Sequence, residues 1–271
     1  MNYGWKILAA DLSGTFFDQL RSLIVGKAYT SADLAFYNKG NQLPSLITTN
    51  ISSSIMTVLF PAIANISDEK KRVKEMTRKA VKIMSYVMFP MLFGLAAVSK
   101  PLVNILFTSK WEAAIPFVQI LSISSAISLI GGVSLQAIKA IGKSDIILKL
   151  EIYKKPIYVL LLVIGVKVSV KAVAGTMLIY SIYGNIVNAR PLKKEIDYSY
   201  VEQLKDLSVP FFMSAIMSLA VLMILQLHMN DVITLIVQVL VGAVLYIGMS
   251  MSFKVDSFLY LQKFLIEKIR R

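Results

Sequence analysis

Residues 232–253 read VITLIVQVLVGAVLYIGMSMSF, a run without a single charged side chain. A helix of this length rises about 33 Å, which is enough to cross the hydrocarbon core of a bilayer. Comparable apolar blocks recur along all 271 residues, separated by short polar stretches. Because only helices satisfy every backbone polar group within one lipid-exposed segment, the pattern predicts an all-α, polytopic helical membrane protein.

The composition excludes several other classes of protein. Hydrophobic residues make up 56% of the chain and charged residues 17%, whereas soluble domains are about 45–50% apolar and about 25% charged. The absence of cysteine excludes disulfides, thiol catalysis and thiolate metal sites, and a single histidine argues against a zinc site. Neither a nucleotide-binding loop nor a nucleophile elbow occurs. We therefore expect neither an enzyme nor a bound metal or cofactor.

Eight stretches have the length and apolar character of a membrane span. We expect Pro44 and Pro210 at the starts of two of these helices, and Pro90 to kink the third helix near its middle. The predicted spans, here named A to H, are Trp5–Val25, Pro44–Ile66, Val81–Val98, Ala113–Gly131, Ile146–Val166, Ser169–Asn188, Val209–Leu227 and Val232–Phe253.

The formal net charge of +13 is explained by topology rather than by nucleic-acid binding. Of the 29 Lys and Arg residues, 22 fall on one set of alternating segments and 6 on the other, with Arg21 inside span A. The larger group includes Lys149, Lys154 and Lys155, near the start of span E. Cytoplasmic loops carry this excess of positive charge, so both termini are predicted to be cytoplasmic.

Span A carries polar residues that a lipid-facing helix would not have. Asp11, Thr15, Asp18 and Ser22 lie on one helical stripe, with Arg21 close to Asp18. Inserting the three charged residues costs about 7–10 kcal/mol, and the apolar residues of the span return only about 3–5 kcal/mol. The stripe must therefore face a wet cavity or other helices. It either joins helices through an Asp18–Arg21 pair or lines a substrate path.

Smaller polar groups lie on three other spans. Asn50 and Thr57 belong to a face of span B rich in hydroxyl and amide groups, which we expect beside the stripe of span A. The serines of span D are more typical of close helix packing. Tyr180 in span F indicates an interfacial aromatic belt. The basic segment 67–79 is expected to extend span C along the cytoplasmic interface, and it is also suited to gathering a pyrophosphate-bearing substrate.

Five segments of the chain resemble the O-antigen/teichuronic-acid flippase family, part of the multidrug/oligosaccharidyl-lipid/polysaccharide exporter superfamily. Their patterns are specific as a set, although each is weak alone. The segments are IVGKAYTSADLAFYNKG at 24–40, LFPAI at 59–63, KPLVNILF at 100–107, WEAAIPF at 111–117 and GKSDIILKLE at 142–151.

The resemblance implies a translocase in the cytoplasmic membrane of a bacterium. Such a protein moves an oligosaccharide on an undecaprenyl-type lipid from the cytoplasmic to the outer leaflet, by alternating access between two six-helix lobes. Residues 1–190 resemble the second lobe, and residues 191–271 would be two trailing helices with a basic cytoplasmic tail. The partners implied are membrane lipid, the lipid-linked oligosaccharide and either a separate first lobe or a second copy of the chain.

Two other functions fit the same sequence. A cation-coupled multidrug antiporter of the same superfamily would use the buried carboxylates as ion sites. A membrane scaffold without transport activity would be indifferent to the polar stripe of span A. Under the flippase interpretation, the residues expected to line the substrate path are Asp11, Thr15, Asp18, Arg21, Ser22, Asn50 and Thr57.

Overall fold

The computed structural model describes the backbone of residues 2–269, and the side chains of that range except at residues 2, 3, 55, 56 and 264–269. Two short 3₁₀ segments, Ser109–Ala114 and Ile224–Leu227, adjoin the ends of longer helices. The α-helices of this part of the chain are α1 (Asn2–Ala28), α2 (Ser31–Ala64), α3 (Lys70–Phe107), α4 (Ile115–Ala140), α5 (Ser144–Val168), α6 (Val170–Ile196), α7 (Tyr200–Met223), α8 (Asp231–Ser252) and α9 (Asp256–Ile269).

The all-α, multi-pass membrane architecture is confirmed. Each predicted span overlaps one of the helices α1 to α8. Over the residues described, six helices are long and apolar enough to cross a membrane, and α1 and α5 are not among them. These two helices carry the largely buried side chains of Arg21, Glu151 and Lys154. Eight crossings and the predicted division at residue 190 stay predictions.

Two predicted helix starts are wrong. Helix α2 begins at Ser31, where the Thr30 side chain accepts from the Asp33 backbone and the Asp33 carboxylate accepts from the Thr30 N–H. Pro44 therefore lies inside α2. Ser199 and Glu202 form the same capping box before α7, which leaves Pro210 inside that helix. Two satisfied backbone donors at each start outweigh the single hydrogen bond that each proline removes.

Helix α3 is the long central element of the bundle. It runs continuously from Lys70, so the basic segment is helical from that residue, and its 38 residues rise about 57 Å, more than a bilayer core requires. It packs against α2, α4, α7 and α8. Helix α9 was not among the predicted spans and follows α8 after a short turn. Arg270 and Arg271, the end of the predicted basic tail, lie outside the described residues.

An apolar cluster holds α1, α5 and α6 together and positions the site described below. Val25 of α1, Leu162 of α5 and Val173 of α6 are almost completely buried in it. Gly165 of α5 permits this approach, since a Cβ there would lie 3.0 Å from the Val173 Cα. Helix α4 packs against α6 as well, and its Phe117 and Leu121 belong to the same cluster, so α5, α6 and α4 form one continuous wall.

Ion pairs gather at the end of the bundle where α3 begins. Lys6 of α1 pairs with Asp145 of α5, and the Lys143 and Glu195 side chains approach to 3.7 Å. Lys82 of α3 lies 3.8 Å from Asp256, the first residue of α9. Described residues near both termini therefore share one end of the bundle. The membrane face of this end stays the predicted cytoplasmic one.

Asp206 is the most enclosed carboxylate at this end. Its oxygens accept from the Nε and Nη2 atoms of Arg78, each at 2.8 Å, and from the Tyr198 hydroxyl at 2.9 Å. Burial raises the pKa of Tyr198, and the neighbouring Asp206 charge raises that pKa further, so this phenol stays a neutral donor. The contacts join α3, α7 and the turn between α6 and α7.

We predict that Asp206→Asn lowers the free energy of unfolding by about 3 kcal/mol, since it leaves Arg78 without its carboxylate partner. Thermal unfolding in detergent measures the effect. Asp197→Asn is the matched control, because its carboxylate is 90% exposed and comes no closer than 3.8 Å to Lys74 Nζ. Equal stability of the two variants would contradict the role assigned to Asp206.

Candidate functional site

Arg21 is the most buried cation of α1, with 14% of its side chain exposed. Its Nη2 lies 3.4 Å from Asp18 Oδ1, and its Nη1 lies 3.0 Å from the Met177 sulfur on α6. The guanidinium carbon is 5.7 Å from the centre of the Tyr37 ring, a cation–π distance. Its Nε has no partner. The guanidinium therefore has an ion pair, a sulfur contact and an aromatic ring as neighbours, and its Nε–H makes no hydrogen bond.

Helix α5 contributes a second group of charged side chains. Glu151 accepts from Lys154 Nζ at 2.6 Å and lies 3.1 Å from Lys155 Nζ. All three side chains are largely buried, and Lys154 is only 7% exposed. Lys155 also stands 4.9 Å from the ring centre of Phe17 on α1. Two cations against one carboxylate leave this group with a net positive charge.

A cavity of about 470 Å³ lies between these charges and the other helices. Asp18 and Arg21 reach it from α1, and Lys154 reaches it from α5. Hydroxyl groups, amides and small residues form most of the remaining wall. The other lining residues are Asn41, Ser45, Leu121, Ser124, Ser125, Ser128, Gly131, Gly132, Leu135, Tyr158, Met177, Tyr180, Ser181, Gly184, Asn185 and Asn188.

Two tyrosines border the charged part of this cavity. The Tyr158 hydroxyl donates to the Phe17 carbonyl at 3.0 Å, which ties α5 to α1. Tyr180 of α6 meets the Tyr158 ring edge-on, with centroids 5.0 Å apart. Tyr180 thus lines the cavity, and its place in an interfacial aromatic belt stays a prediction. Aromatic faces of this kind stack well on sugar rings, which are apolar on one side.

The serines of α4 have two different surroundings. Ser122 is fully buried among packed helices, as expected for a packing residue. Ser125 and Ser128 lie on the cavity wall, and Ser128 is exposed. Asn188 of α6 lies close to Gly131 of α4, is buried, and has no hydrogen-bond partner at its Oδ1. The wall therefore offers unused hydrogen-bonding groups to anything that enters.

The predicted site residues of α1 divide into two groups. Asp18 and Arg21 line the cavity. Asp11 is exposed and its carboxylate lies 3.3 Å from Lys139 Nζ. The hydroxyls of Thr15 and Ser22 bond to backbone carbonyls of α1 itself, at 3.1 and 3.4 Å. These three do not line the cavity, and their place on a substrate path stays a prediction.

Asn50 and Thr57 lie on an exposed face of α2, away from the cavity. The Asn50 amide donates to the Leu46 carbonyl at 2.7 Å, and the Thr57 hydroxyl donates to the Ser53 carbonyl at 2.8 Å. Ser53 and Ser54 are exposed on the same helix. The bundle leaves this polar face uncovered, and its role on a substrate path also stays a prediction.

Sequence reasoning missed Lys154 as a residue of the interior. It was counted with the cytoplasmic charges although it lies inside span E, and the structure buries it in α5. The signal was present: Glu151 precedes it by one helical turn, as expected for a cation that pairs within its own helix. Asn185 was missed because an amide near a predicted helix end looks interfacial. Over the described residues, no group of His, Asp or Glu side chains could hold a metal ion.

A second, apolar cavity of about 600 Å³ lies between α3, α7 and α8. Met91 and Gly94 of α3, Met217 of α7 and Val239 of α8 are among its lining residues. Helices α7 and α8 expose many large apolar side chains. Their inner faces are nevertheless tied to α3, since the Tyr86 hydroxyl donates to Ser250 at 2.7 Å.

The charged cavity belongs to a chain that matches known proteins over most of its length. Residues 1–116 match a family model described as polysaccharide biosynthesis protein. The lipopolysaccharide biosynthesis protein WzxC of Escherichia coli (strain K12) is 23% identical over 216 residues, covering 79% of this chain and 44% of that protein. The succinoglycan biosynthesis transport protein ExoT of Rhizobium meliloti (strain 1021) is 23% identical over 259 residues, covering 90% and 50%.

A solved structure shows the same fold. The lipid II flippase MurJ, in its inward closed conformation, superimposes with a TM-score of 0.71 at 18% sequence identity, over 89% of this chain and 52% of that chain. This chain thus spans about half the length of the proteins it matches, or less. The resemblance drawn from the sequence motifs is confirmed: the chain is similar to the polysaccharide flippase family and has the fold of a lipid flippase.

Proposed function

We propose that this chain is part of a translocase for lipid-linked oligosaccharides in the cytoplasmic membrane of a bacterium. The observation that carries the proposal is the cavity lined by Asp18, Arg21 and Lys154 among hydroxyl and amide groups. Charges inside a membrane bundle are costly and face a path for polar solutes when they are retained. The relatives named above take part in polysaccharide biosynthesis or transport, and this agrees with such a solute.

The cavity matches the chemistry of a sugar on an undecaprenyl-type diphosphate. A diphosphate is an anion with many acceptor oxygens, which the guanidinium of Arg21 and the ammonium of Lys154 are suited to bind. Sugar hydroxyls both donate and accept, as do the side chains of Ser128 and Asn188. The Tyr180 ring offers a flat apolar face. Cationic and neutral polar groups within one cavity therefore fit both parts of such a headgroup.

The apolar cavity supports a lipid-linked rather than a free solute. Its lining comes almost entirely from aliphatic, methionine and small residues of α3, α7 and α8. A hydrocarbon chain in such a groove would exchange one apolar environment for another, at little cost. In this proposal the carrier chain stays in contact with membrane lipid or this groove while the headgroup enters the charged cavity.

The exposed polar face of α2 bears on how the translocase is assembled. Asn50 and Thr57 have no cover from other helices, although α2 is apolar enough to cross a membrane. A polar face of this kind needs water or protein opposite it. We propose that residues 1–190 act as the second of two lobes. The polar face would then meet a first lobe, or a second copy of this chain, across the substrate path.

The pairing of the carboxylates weighs against the cation-coupled antiporter. Asp18 faces Arg21, and Glu151 faces both Lys154 and Lys155. A coupling cation would have to displace a protein cation from each of these carboxylates. The scaffold without transport activity is separated from the translocase by the second experiment below.

We predict that water reaches the charged cavity. The chain contains no cysteine, so a single cysteine can be introduced without background. Ser128→Cys should react rapidly with a membrane-impermeant thiol reagent in opened membranes. Ser122→Cys, on the same helix but fully buried, should react at least about tenfold more slowly. Equal rates at the two positions would contradict a water-filled cavity at Ser128.

We predict that Arg21→Met and Lys154→Met each lower export of surface polysaccharide by more than about tenfold in the native cell, because the headgroup loses a cation partner. Asp18→Asn is expected to act in the same direction by releasing Arg21. Immunoblots of membrane fractions should show unchanged amounts of protein. Arg21→Lys and Lys154→Arg, which keep the charge, should retain part of the activity.

Lys171→Met is the matched control, since this lysine is exposed at the start of α6 and should tolerate the change. Normal export in both the Arg21→Met and the Lys154→Met cells would overturn the proposed translocase and favour the scaffold.

A further inference from the structure

The side chain of Asn185 on α6 bonds to the backbone of α4 at two points. Its Oδ1 accepts from the Gly131 N–H at 2.8 Å, and its Nδ2 donates to the Ile127 carbonyl at 2.7 Å. In an uninterrupted α-helix these two backbone groups bond to each other, because residue 131 follows residue 127 by four. One side-chain amide thus occupies both ends of a single hydrogen bond of the α4 backbone.

This arrangement allows α4 to open at one turn inside the membrane. Backbone groups that separate in apolar surroundings must find other partners, and kinks occur where a side chain inserts into the helical hydrogen bonds. Asn185 supplies both partners. The turn also contains Gly131 and Gly132, which add no side chain of their own and resist bending less than other residues. A bend at this turn would leave neither backbone group unsatisfied.

The two glycines have different surroundings. A Cβ on Gly131 would lie 2.6 Å from Asn185 Oδ1 and 2.7 Å from Asn188 Nδ2, closer than real contacts allow. A Cβ on Gly132 would meet nothing within 4 Å. The absence of a side chain at 131 is therefore what admits the two asparagines.

The same turn lies on the wall of the charged cavity. Gly131, Gly132, Asn185 and Asn188 all line it. Asn188, one turn along α6 from Asn185, is 5% exposed and its Oδ1 accepts no hydrogen bond. A buried acceptor without a partner beside a polar cavity is available to a ligand that donates hydrogen bonds. Hydroxyl groups of a sugar are donors of this kind and also compete for an amide.

We propose that Asn185 is a positioning residue that couples binding of the sugar headgroup to the bend of α4, an inference that rests on the proposed function. With the cavity empty, the Asn185 amide bonds to Ile127 and Gly131 and keeps this turn open. A bound sugar takes the amide and supplies a donor to Asn188. The Ile127 carbonyl and the Gly131 N–H then bond to each other, and α4 straightens at this turn.

Three variants separate this coupling from ordinary packing. Gly131→Ala pushes the Asn185 amide away from α4, and Asn185→Leu keeps the volume but removes both hydrogen bonds. Each should reduce export in the native cell by about tenfold or more, because one of the two states is lost. Gly175→Ala on α6 should export within about twofold of the parent, since this residue does not line the charged cavity and its new methyl group enters open space.

A second measurement reports the coupling directly. The rate of hydrogen–deuterium exchange at the backbone amides of α4 around Gly131 reports the local opening of this turn, since an amide exchanges when its hydrogen bond opens. Membranes are treated with polyprenyl-diphosphate oligosaccharide extracted from the same cells, or with polyprenyl phosphate that carries no sugar. The sugar-bearing lipid should change the rate at least about threefold in the parent, and the sugar-free lipid should not. With Asn185→Leu, neither lipid should change the rate.

The outcomes distinguish the two levels of the proposal. If Arg21→Met and Lys154→Met stop export while Gly131→Ala and Asn185→Leu leave it normal, the coupling is wrong and the translocase stands. A sugar-dependent exchange rate that persists with Asn185→Leu also overturns the coupling, even if that variant exports poorly, because Asn185 would then be a packing residue. Normal export in all of these variants overturns both.

Discussion

Ionised side chains on α1 and α5 are the constraint on which the rest of the bundle depends. Over the described residues, neither helix is among the six that have the length and apolar character of a membrane span, and each ionised residue at the centre of a span costs about 2.5–3.5 kcal/mol. The two helices reduce this cost by packing together. Arg21 pairs with Asp18, and Lys155 covers the ring of Phe17 while it pairs with Glu151. The remaining apolar helices hold this pair in place.

The charges are not fully neutralised, and this excess gives the cavity its chemistry. Lys154 and Lys155 share one carboxylate, and the Nε of Arg21 has no partner. A purely structural ion-pair network would match each cation with an acceptor. The surplus of positive charge and free donors instead suits an anionic headgroup, while the serines and asparagines of α4 and α6 suit its hydroxyls. Electrostatic attraction and hydrogen bonding therefore act on different parts of one ligand.

Much of the fold could be predicted from the sequence, because apolar runs and charge asymmetry are properties of whole segments. The eight apolar segments and the inward-facing pair of Asp18 and Arg21 followed from this reasoning. Local competition was harder to predict: Pro44 suggested a helix start, but the capping box at Thr30 begins α2 more than three turns earlier. The burial of Lys154 and the contact of Asn185 with α4 depend on which helix faces which, and no single segment contains that information.

The account predicts that the sugar headgroup lies beside Tyr180 during transport. Photo-crosslinking from this position in living cells tests that claim most directly. Benzoylphenylalanine replaces Tyr180 on the cavity wall in the test variant. In the control variant it replaces Tyr153, which is 70% exposed on α5. Sugar-bearing lipid should be captured from position 180 and not from position 153. Capture at both positions alike, or none at position 180 in cells that still export polysaccharide, would contradict the charged cavity as the path of the headgroup.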